Sequence, residues 1–258
     1  MRSRQGETMS DTGHAGPNPG GNADRNMDAD AVMHERIQTF IESMDSGSTA
    51  FLQKLEREAL AEGVPVIRTQ TQSLLKFFLE LKKPLKILEI GTGTGFSAAF
   101  MATFAPMAHI TTIEKDPRRH QKAQRILAAW SEDGGADVQG GHFTLLEGDA
   151  LECVPKLEEQ YDFIFLDAAK GQYIHLLPHL KRCMKPGALL ISDNIFKEGE
   201  ILASRFAVPR RDRTIHARMR SFLLALTQDD QLRTILLQEG DGTAVSIFRS
   251  GTGQQVRI

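Results

Sequence analysis

The sequence predicts an α/β protein: a doubly wound, mostly parallel sheet of seven strands with one antiparallel strand and helices on both faces. Three observations carry this prediction. Five short apolar runs, Lys86 to Ile90, His109 to Ile113, His142 to Leu146, Phe163 to Asp167 and Leu189 to Asp193, alternate with helix-like segments. The first run empties into a glycine-rich turn, Gly91-Thr92-Gly93-Thr94-Gly95. After Asp193 the alternation ends, and two further strands, Leu232 to Leu237 and Ala244 to Phe248, flank the turn Glu239-Gly240-Asp241-Gly242 as a closing hairpin, which implies one antiparallel edge strand.

Met1 to Asp28 is rich in Gly, Asn, Asp and Pro with almost no large apolar residue to bury, and reads as a disordered extension ahead of a single domain over 29–258. From Ala29 to Glu62, Val32, Ile37, Phe40, Ile41, Met44, Phe51, Leu52, Leu55 and Leu60 recur at helical spacing, broken near Asp45-Ser46-Gly47-Ser48, so two helices are expected. A third, Thr69 to Leu81, ends before Lys83-Pro84. The crossover helices fall at Gly95 to Phe104, Pro117 to Trp130, Ala150 to Leu157 and Gln172 to Met184, and a last helix runs from Arg213 to Leu226.

A chain of 258 residues with 41% hydrophobic content can bury a substantial core. Its 31 basic and 33 acidic residues nearly cancel, so net charge gives no reason to expect a nucleic-acid partner, and any such contact must come from a local patch. Cys153 and Cys183 have no metal or redox spacing and read as buried thiols. No stretch approaches the roughly 20 apolar residues of a membrane span, so a cytoplasmic protein is expected.

In a doubly wound sheet, ligands sit beyond the carboxyl ends of the strands. Glu89 lies inside the first apolar run, just before the glycine turn, where its charge opposes a pyrophosphate and suits a cationic cofactor. S-adenosylmethionine, with a sulfonium, an amino group and no phosphate, fits better than a dinucleotide. Glu114 ends the second strand, where a carboxylate can accept from two ribose hydroxyls, and Asp149 follows the third, where it can accept from an adenine amino group. Taken singly, Asp149 also reads as a helix N-cap and Glu114 as a solvated strand end. Ser97 places a hydroxyl at the start of the first crossover helix, near a methionine carboxylate.

Asp167 ends the fourth run and Asp193-Asn194 the fifth. Two carboxylates and an amide oxygen at neighbouring strand ends form an all-oxygen set suited to magnesium, manganese or calcium and poorly suited to zinc or copper. A turn pair at Asp193-Asn194 and a helix cap at Asp167 are the alternatives.

With these motifs in order, the chain resembles the metal-dependent, catechol-type family of S-adenosylmethionine O-methyltransferases, over roughly Ala61 to Phe248. The carrying segments are Leu88-Glu89-Ile90-Gly91-Thr92 through Gly95-Phe96-Ser97-Ala98, Ile113-Glu114-Lys115-Asp116, Asp167-Ala168-Ala169-Lys170-Gly171-Gln172-Tyr173, Asp193-Asn194 and Gly240-Asp241-Gly242. The resemblance implies a Rossmann-like class I methyltransferase fold and a divalent ion, Mg2+ or Mn2+, held by Asp167, Asp193 and Asn194. It also implies that Glu89, Ser97, Glu114 and Asp149, with Val66, Gly91, Gly95 and Asp167, hold S-adenosylmethionine, and that Lys170, beside Asp167, stands at the reacting hydroxyl. A homodimer is implied on the same ground.

Within that family the chain is most similar to the bacterial tRNA 5-hydroxyuridine methyltransferases, through Asp167 to Tyr173, Asp193 to Phe196 with Gly199, Arg213-Thr214-Ile215 and Met219 to Phe222. It departs from them in the glycine turn, where Ala and Ile are commoner than Gly93-Thr94, and in its N-terminal extension. Arg205, Arg210, Arg211, Arg213, Arg218 and Arg220, opposed only by Asp212, read as a phosphate-facing patch for a tRNA anticodon loop, or as a solvated helix face. A 5-hydroxyuridine and a catechol both offer two adjacent oxygens, so one metal site serves either. The resemblance therefore implies methylation of the tRNA wobble base to 5-methoxyuridine, with a small catechol-like substrate as the alternative. A nicotinamide oxidoreductase and a non-catalytic RNA-binding module fit the acidic strand ends and the complete oxygen set less well.

Overall fold

The computed structural model describes residues 32, 33, 35–44, 47–132, 142–196, 199–204, 206–238 and 240–249. The expected extension over 1–28, Arg205 of the arginine patch and Glu239 of the hairpin turn lie outside the described residues. The chain divides into two compact units, Met1–Ser46 and Gly47–Ile258. The first contributes one described helix, α1, over 35–43, in which the Thr39 hydroxyl donates to the Glu35 carbonyl one turn back.

The second unit contains, in order, α2 (Ala50–Ala61), α3 (Thr69–Lys82), β1 (Lys86–Ile90), α4 (Phe96–Phe104), β2 (His109–Glu114), α5 (Pro117–Glu132), β3 (Phe143–Glu147), α6 (Ala150–Cys153), β4 (Tyr161–Leu166), α7 (Tyr173–Arg182), β5 (Met184–Ser192), α8 (Arg213–Gln228), β6 (Leu232–Leu237) and β7 (Thr243–Phe248). The seven strands form one sheet in the order β3-β2-β1-β4-β5-β7-β6. The first five pair in parallel, and β7 runs antiparallel to both β5 and β6.

The antiparallel strand was expected at the edge, and here the structure corrects the sequence reading: β7 is internal and β6 is the edge. Burial explains the exchange. The first four residues of β7, Thr243 to Ser246, are buried, whereas in β6 only Leu232 is buried and the rest are half-buried or exposed, as on a sheet edge. Both β4 and β5 also begin earlier than their apolar runs, at Tyr161 and Met184, which pair across the sheet ahead of a register shift.

Side-chain alternation along β1 divides the core between the two faces of the sheet. Ile87 joins Phe163, Phe165 and Ile191 against Leu52 of α2, Leu75 and Leu79 of α3 and Phe100 of α4. Leu88 and Ile90 join Ile164, Leu166 and Leu190 against Leu176 and Leu180 of α7 and Phe222 and Leu226 of α8. Two covered faces explain why the parallel strands read as near-continuous apolar runs. Among the described residues no helix is long and apolar enough to cross a membrane.

The β1–α4 turn fixes where the strands' carboxyl ends meet. Gly91 has φ +96°, and a Cβ there would lie 2.0 Å from the Asp167 carbonyl oxygen, so the turn rests backbone to backbone on the end of β4. Gly93 has φ +56° with open space around it. Urea unfolding should therefore rank two substitutions sharply: Gly93→Ala costs about 1 kcal/mol of left-handed backbone strain, and Gly91→Ala costs about 4 kcal/mol or prevents folding. Equal stabilities would contradict the close approach.

Candidate active site

The carboxyl ends of β1, β2, β4 and β5 open into one cavity of about 720 Å³, in the size range of small-molecule sites. Its floor is the turn 91–94 with Phe96 and Ser97; its walls are Glu114 and Lys115, Gly148 and Ala150, Asp167 to Lys170, Asp193 and Asn194, and the segment 65–68 that leads into α3. Of the residues singled out from the sequence, Val66, Gly91, Ser97, Glu114, Asp167, Lys170, Asp193 and Asn194 line this cavity, whereas Glu89, Gly95 and Asp149 do not.

Gly95 is the left-handed N-cap of α4, and a Cβ there would come within 3.2 Å of Ala123 on α5. Its role is to let two helices pass closely beside the turn. Glu89 is fully buried, on the α4 face of β1. The Thr112 hydroxyl donates to its Oε2, Ser97 also bonds to the carboxylate, and Oε1 has no hydrogen-bond partner among the described residues. Burial pushes the Glu89 carboxyl up to about 7; the Ser97 and Thr112 hydroxyls offset part of this, and the charges of Asp167 and Glu114 add to it. The charge thus lies one layer beneath the cavity wall and reaches the cavity through Ser97.

Glu114 ends β2 with both oxygens held by backbone: Gly93 N–H donates to Oε2 at 2.8 Å and Asp116 N–H to Oε1 at 2.8 Å. This fixes the carboxylate at the wall and leaves each oxygen a second lone pair for a ligand hydroxyl. Asp149 is the N-cap of α6, accepting from Leu151 N–H at 2.9 Å, and is also held by Lys115 Nζ at 2.7 Å and the Gln172 side-chain amide. The Lys115 hydrogen bond, then the Leu151 amide, keep its carboxyl below the usual range. Asp149 is therefore a cap and tie that positions Gly148 and Ala150 in the wall.

At the other end, Asp167, Asp193 and Asn194 converge. The Asn194 amide lies 3.3 Å from Asp167 Oδ1, and the Asn194 backbone is left-handed at φ +53°, which turns the chain out of β5 toward β4. Asp193 is almost fully buried, and its Oδ1 accepts from the Thr71 and Thr243 hydroxyls, each at 3.3 Å. Burial, and next the Asp167 charge, push the Asp193 carboxyl up to about 6. Lys170 Nζ donates to Asp167 Oδ1 at 3.1 Å, to the Tyr173 hydroxyl at 2.9 Å and to the Asp193 carbonyl at 3.2 Å. Two carboxylates confined together with one lysine leave a net negative, oxygen-rich corner, and that donor set fits a hard divalent cation.

Sequence reasoning missed Thr71, Thr243 and Tyr173, which hold this corner from behind, and Arg68 and Arg119, which line the cavity. Only Tyr173 carried a signal, as the residue one helical turn after Lys170. Of the expected arginine patch, Arg213 donates to the Val208 carbonyl at 3.1 Å, Arg220 to Ile201 at 3.1 Å and Arg218 to Gly171 at 3.3 Å, and Arg211 pairs with its neighbour Asp212. Arg213, Arg218 and Arg220 tie neighbouring loops to α8, and none of these four side chains lines the cavity. Both cysteines are free, with burial raising each thiol.

The buried Glu89 makes a pH signature. Its folded value of about 7 exceeds the ordinary carboxyl value of 4.5, so the native state holds this proton more tightly. Its contribution to stability is therefore greatest below pH 4.5, declines as pH rises to 7 and is flat above, a loss on the order of 3 kcal/mol. Urea unfolding of the ligand-free protein should show Glu89→Gln gaining on wild type between pH 4.5 and 7; parallel curves would contradict the assignment.

Comparison with known proteins supports the same region. The sequence profile of the O-methyltransferase family matches residues 42–248. A catechol O-methyltransferase from Niastella koreensis is 29% identical over 201 residues, spanning 74% of this chain and 87% of that one. Among solved structures, a Staphylococcus aureus protein provisionally named a caffeoyl-CoA O-methyltransferase superposes with TM-score 0.71 at 26% identity, covering 84% of this chain and 99% of that chain. The O-methyltransferase TomG from Streptomyces achromogenes, solved in complex with SAM, superposes with TM-score 0.69 at 21% identity over 83% of this chain and 97% of its own, a likeness of fold.

Proposed function

This chain belongs to the O-methyltransferase family, and we propose that it is an S-adenosylmethionine- and divalent-metal-dependent enzyme that methylates a hydroxyl lying next to a second oxygen, as in a catechol. The observation that carries this reading is the meeting of Asp167, Asp193, Asn194 and Lys170 in the same cavity as Ser97 and Glu114. The SAM bound by TomG and the catechol substrate in the name of the Niastella relative agree with it.

In this reading Glu114 accepts from the cofactor ribose, and Ser97 faces its methionine carboxylate. Glu89 offers buried negative charge to its cationic groups. Gly91 lets the cofactor lie against bare backbone, with Val66 closing over it. Asp167, Asp193 and Asn194 would hold Mg2+ or Mn2+, which would supply Lewis-acid stabilisation of the ionised acceptor hydroxyl. Lys170, fixed by Asp167 and Tyr173, orients that hydroxyl and, in its neutral amine form, accepts its proton. Asp167 serves both ends, because its backbone carbonyl meets the glycine turn and its carboxylate meets Lys170 and Asn194.

Purified protein given S-adenosylmethionine and a catechol should form a methyl ether, lose activity to a chelator and regain it with Mg2+ or Mn2+. Lys170→Met should lower single-turnover rates by about 10²- to 10⁴-fold. Chelator-resistant turnover, or full turnover by Lys170→Met, would contradict the metal and base assignments respectively.

A second reading, methylation of 5-hydroxyuridine at the tRNA wobble position, is favoured by the exposed Arg210, Arg211, Arg218 and Arg220. Under it, activity on tRNA falls steeply with added salt, whereas activity on neutral catechol does not. Loss of 5-methoxyuridine from cells lacking the protein would select this reading, and an unchanged nucleoside profile would exclude it.

A further inference from the structure

Four cationic side chains line the cavity: Arg68, Lys115, Arg119 and Lys170. Lys170 is held by Asp167 and Tyr173, and Lys115 pairs with Asp149; Arg119 stands at the cofactor end, where its charge and its backbone N–H act on Asp116. The exposed Arg68 side chain makes no hydrogen bond or ion pair among the described residues, although Asp241 stands on the same wall.

Local structure does not account for an arginine here. Arg68 occupies the N-cap position of α3, where Ser, Thr, Asp or Asn would cap the helix, and its side chain does not cap it. A cation at this end also opposes the helix dipole. Its position is at the acceptor end of the cavity. A Cβ built on Gly240 would lie 3.6 Å from Arg68 Cδ and 3.1 Å from Thr71 Oγ1, and that same hydroxyl is 3.3 Å from Asp193 Oδ1. The Arg68 side chain, whose guanidinium has no partner among the described residues, therefore stands on the wall next to the corner that would hold the acceptor oxygens.

We propose that Arg68 is a specificity-determining residue that selects acceptors carrying an anionic group, a carboxylate set away from the two adjacent oxygens; the inference rests on the methyl-transfer reading above. The guanidinium fork matches a carboxylate bidentately, so a dihydroxy aromatic acid is anchored at both ends: its vicinal oxygens at Asp167 and Asp193, its carboxylate at Arg68.

The test compares 3,4-dihydroxybenzoate with catechol as acceptors, in the presence of S-adenosylmethionine and Mg2+, by steady-state rates and by calorimetric binding. Wild type should prefer the acid in kcat/KM. Arg68→Gln should lower the acid-to-catechol ratio by about 10- to 100-fold, mostly through KM, with a parallel loss of acid binding, and Arg68→Lys should recover part of it. A ratio unmoved by Arg68→Gln, or a wild-type preference for catechol, overturns the proposal. Should wild type methylate neither acceptor, the vicinal-oxygen reading fails by itself; acid binding lost in Arg68→Gln would then still support Arg68 as the anion anchor, and acid binding retained would overturn it.

Discussion

The contact on which the rest of the site depends is the one between Gly91 and the end of β4. The glycine turn lies so close to the Asp167 carbonyl that no Cβ fits between them. That single approach brings the two halves of the cavity together. On one side are Ser97, Glu114 and the buried charge of Glu89; on the other are Asp167, Lys170, Asp193 and Asn194. With a side chain at position 91 the turn would ride away from β4, and a methyl donor and its acceptor could no longer share one space, which is the geometric requirement for in-line transfer.

A second constraint is the crowding of acids. Glu89, Glu114, Asp167 and Asp193 end or nearly end four strands that are neighbours in the sheet, and both Glu89 and Asp193 are raised by burial and by one another's neighbours. Lys170 alone does not neutralise them. Such an arrangement works against stability in the empty protein; under the proposed function, cations arriving with the ligands, a methyl donor near Glu89 and a metal at Asp193, would offset it. The supporting shell is correspondingly firm: backbone amides hold Glu114, threonines from two distant elements hold Asp193, and Tyr173 braces Lys170. The hairpin turn adds to this shell, since Gly242 at φ +81° packs against the Phe196 ring and its carbonyl accepts from Ile195.

Much of this was legible in the sequence because parallel strands buried on both faces write themselves as apolar runs, and because strand ends in this fold are where ligands bind. The bounds of β1, the places of the crossover helices and the acids at the strand ends follow from that pattern. What could not be read depended on distance along the chain. Thr71 and Thr243 meet Asp193 from positions far apart in sequence, and a hydroxyl carries no periodic signal. The place of β7 was misread because a hairpin specifies pairing between its own strands and leaves open which of them joins β5. The arginines of α8 formed a patch by count, and the sequence could not show that Arg213, Arg218 and Arg220 each also donate to a carbonyl of a neighbouring loop. Arg68 drew no notice because one arginine before a helix has no motif; only its place in the cavity wall beside Thr71 gives it meaning.

The most direct test of the shared cavity is a crystal structure of the protein grown with S-adenosylhomocysteine and Mn2+, with anomalous data collected for manganese. The account predicts one strong peak among Asp167, Asp193 and Asn194, with the cofactor's sulfur facing it and its ribose on Glu114. A cofactor bound in that pose with no manganese at those three residues, or manganese bound elsewhere on the chain, would contradict it.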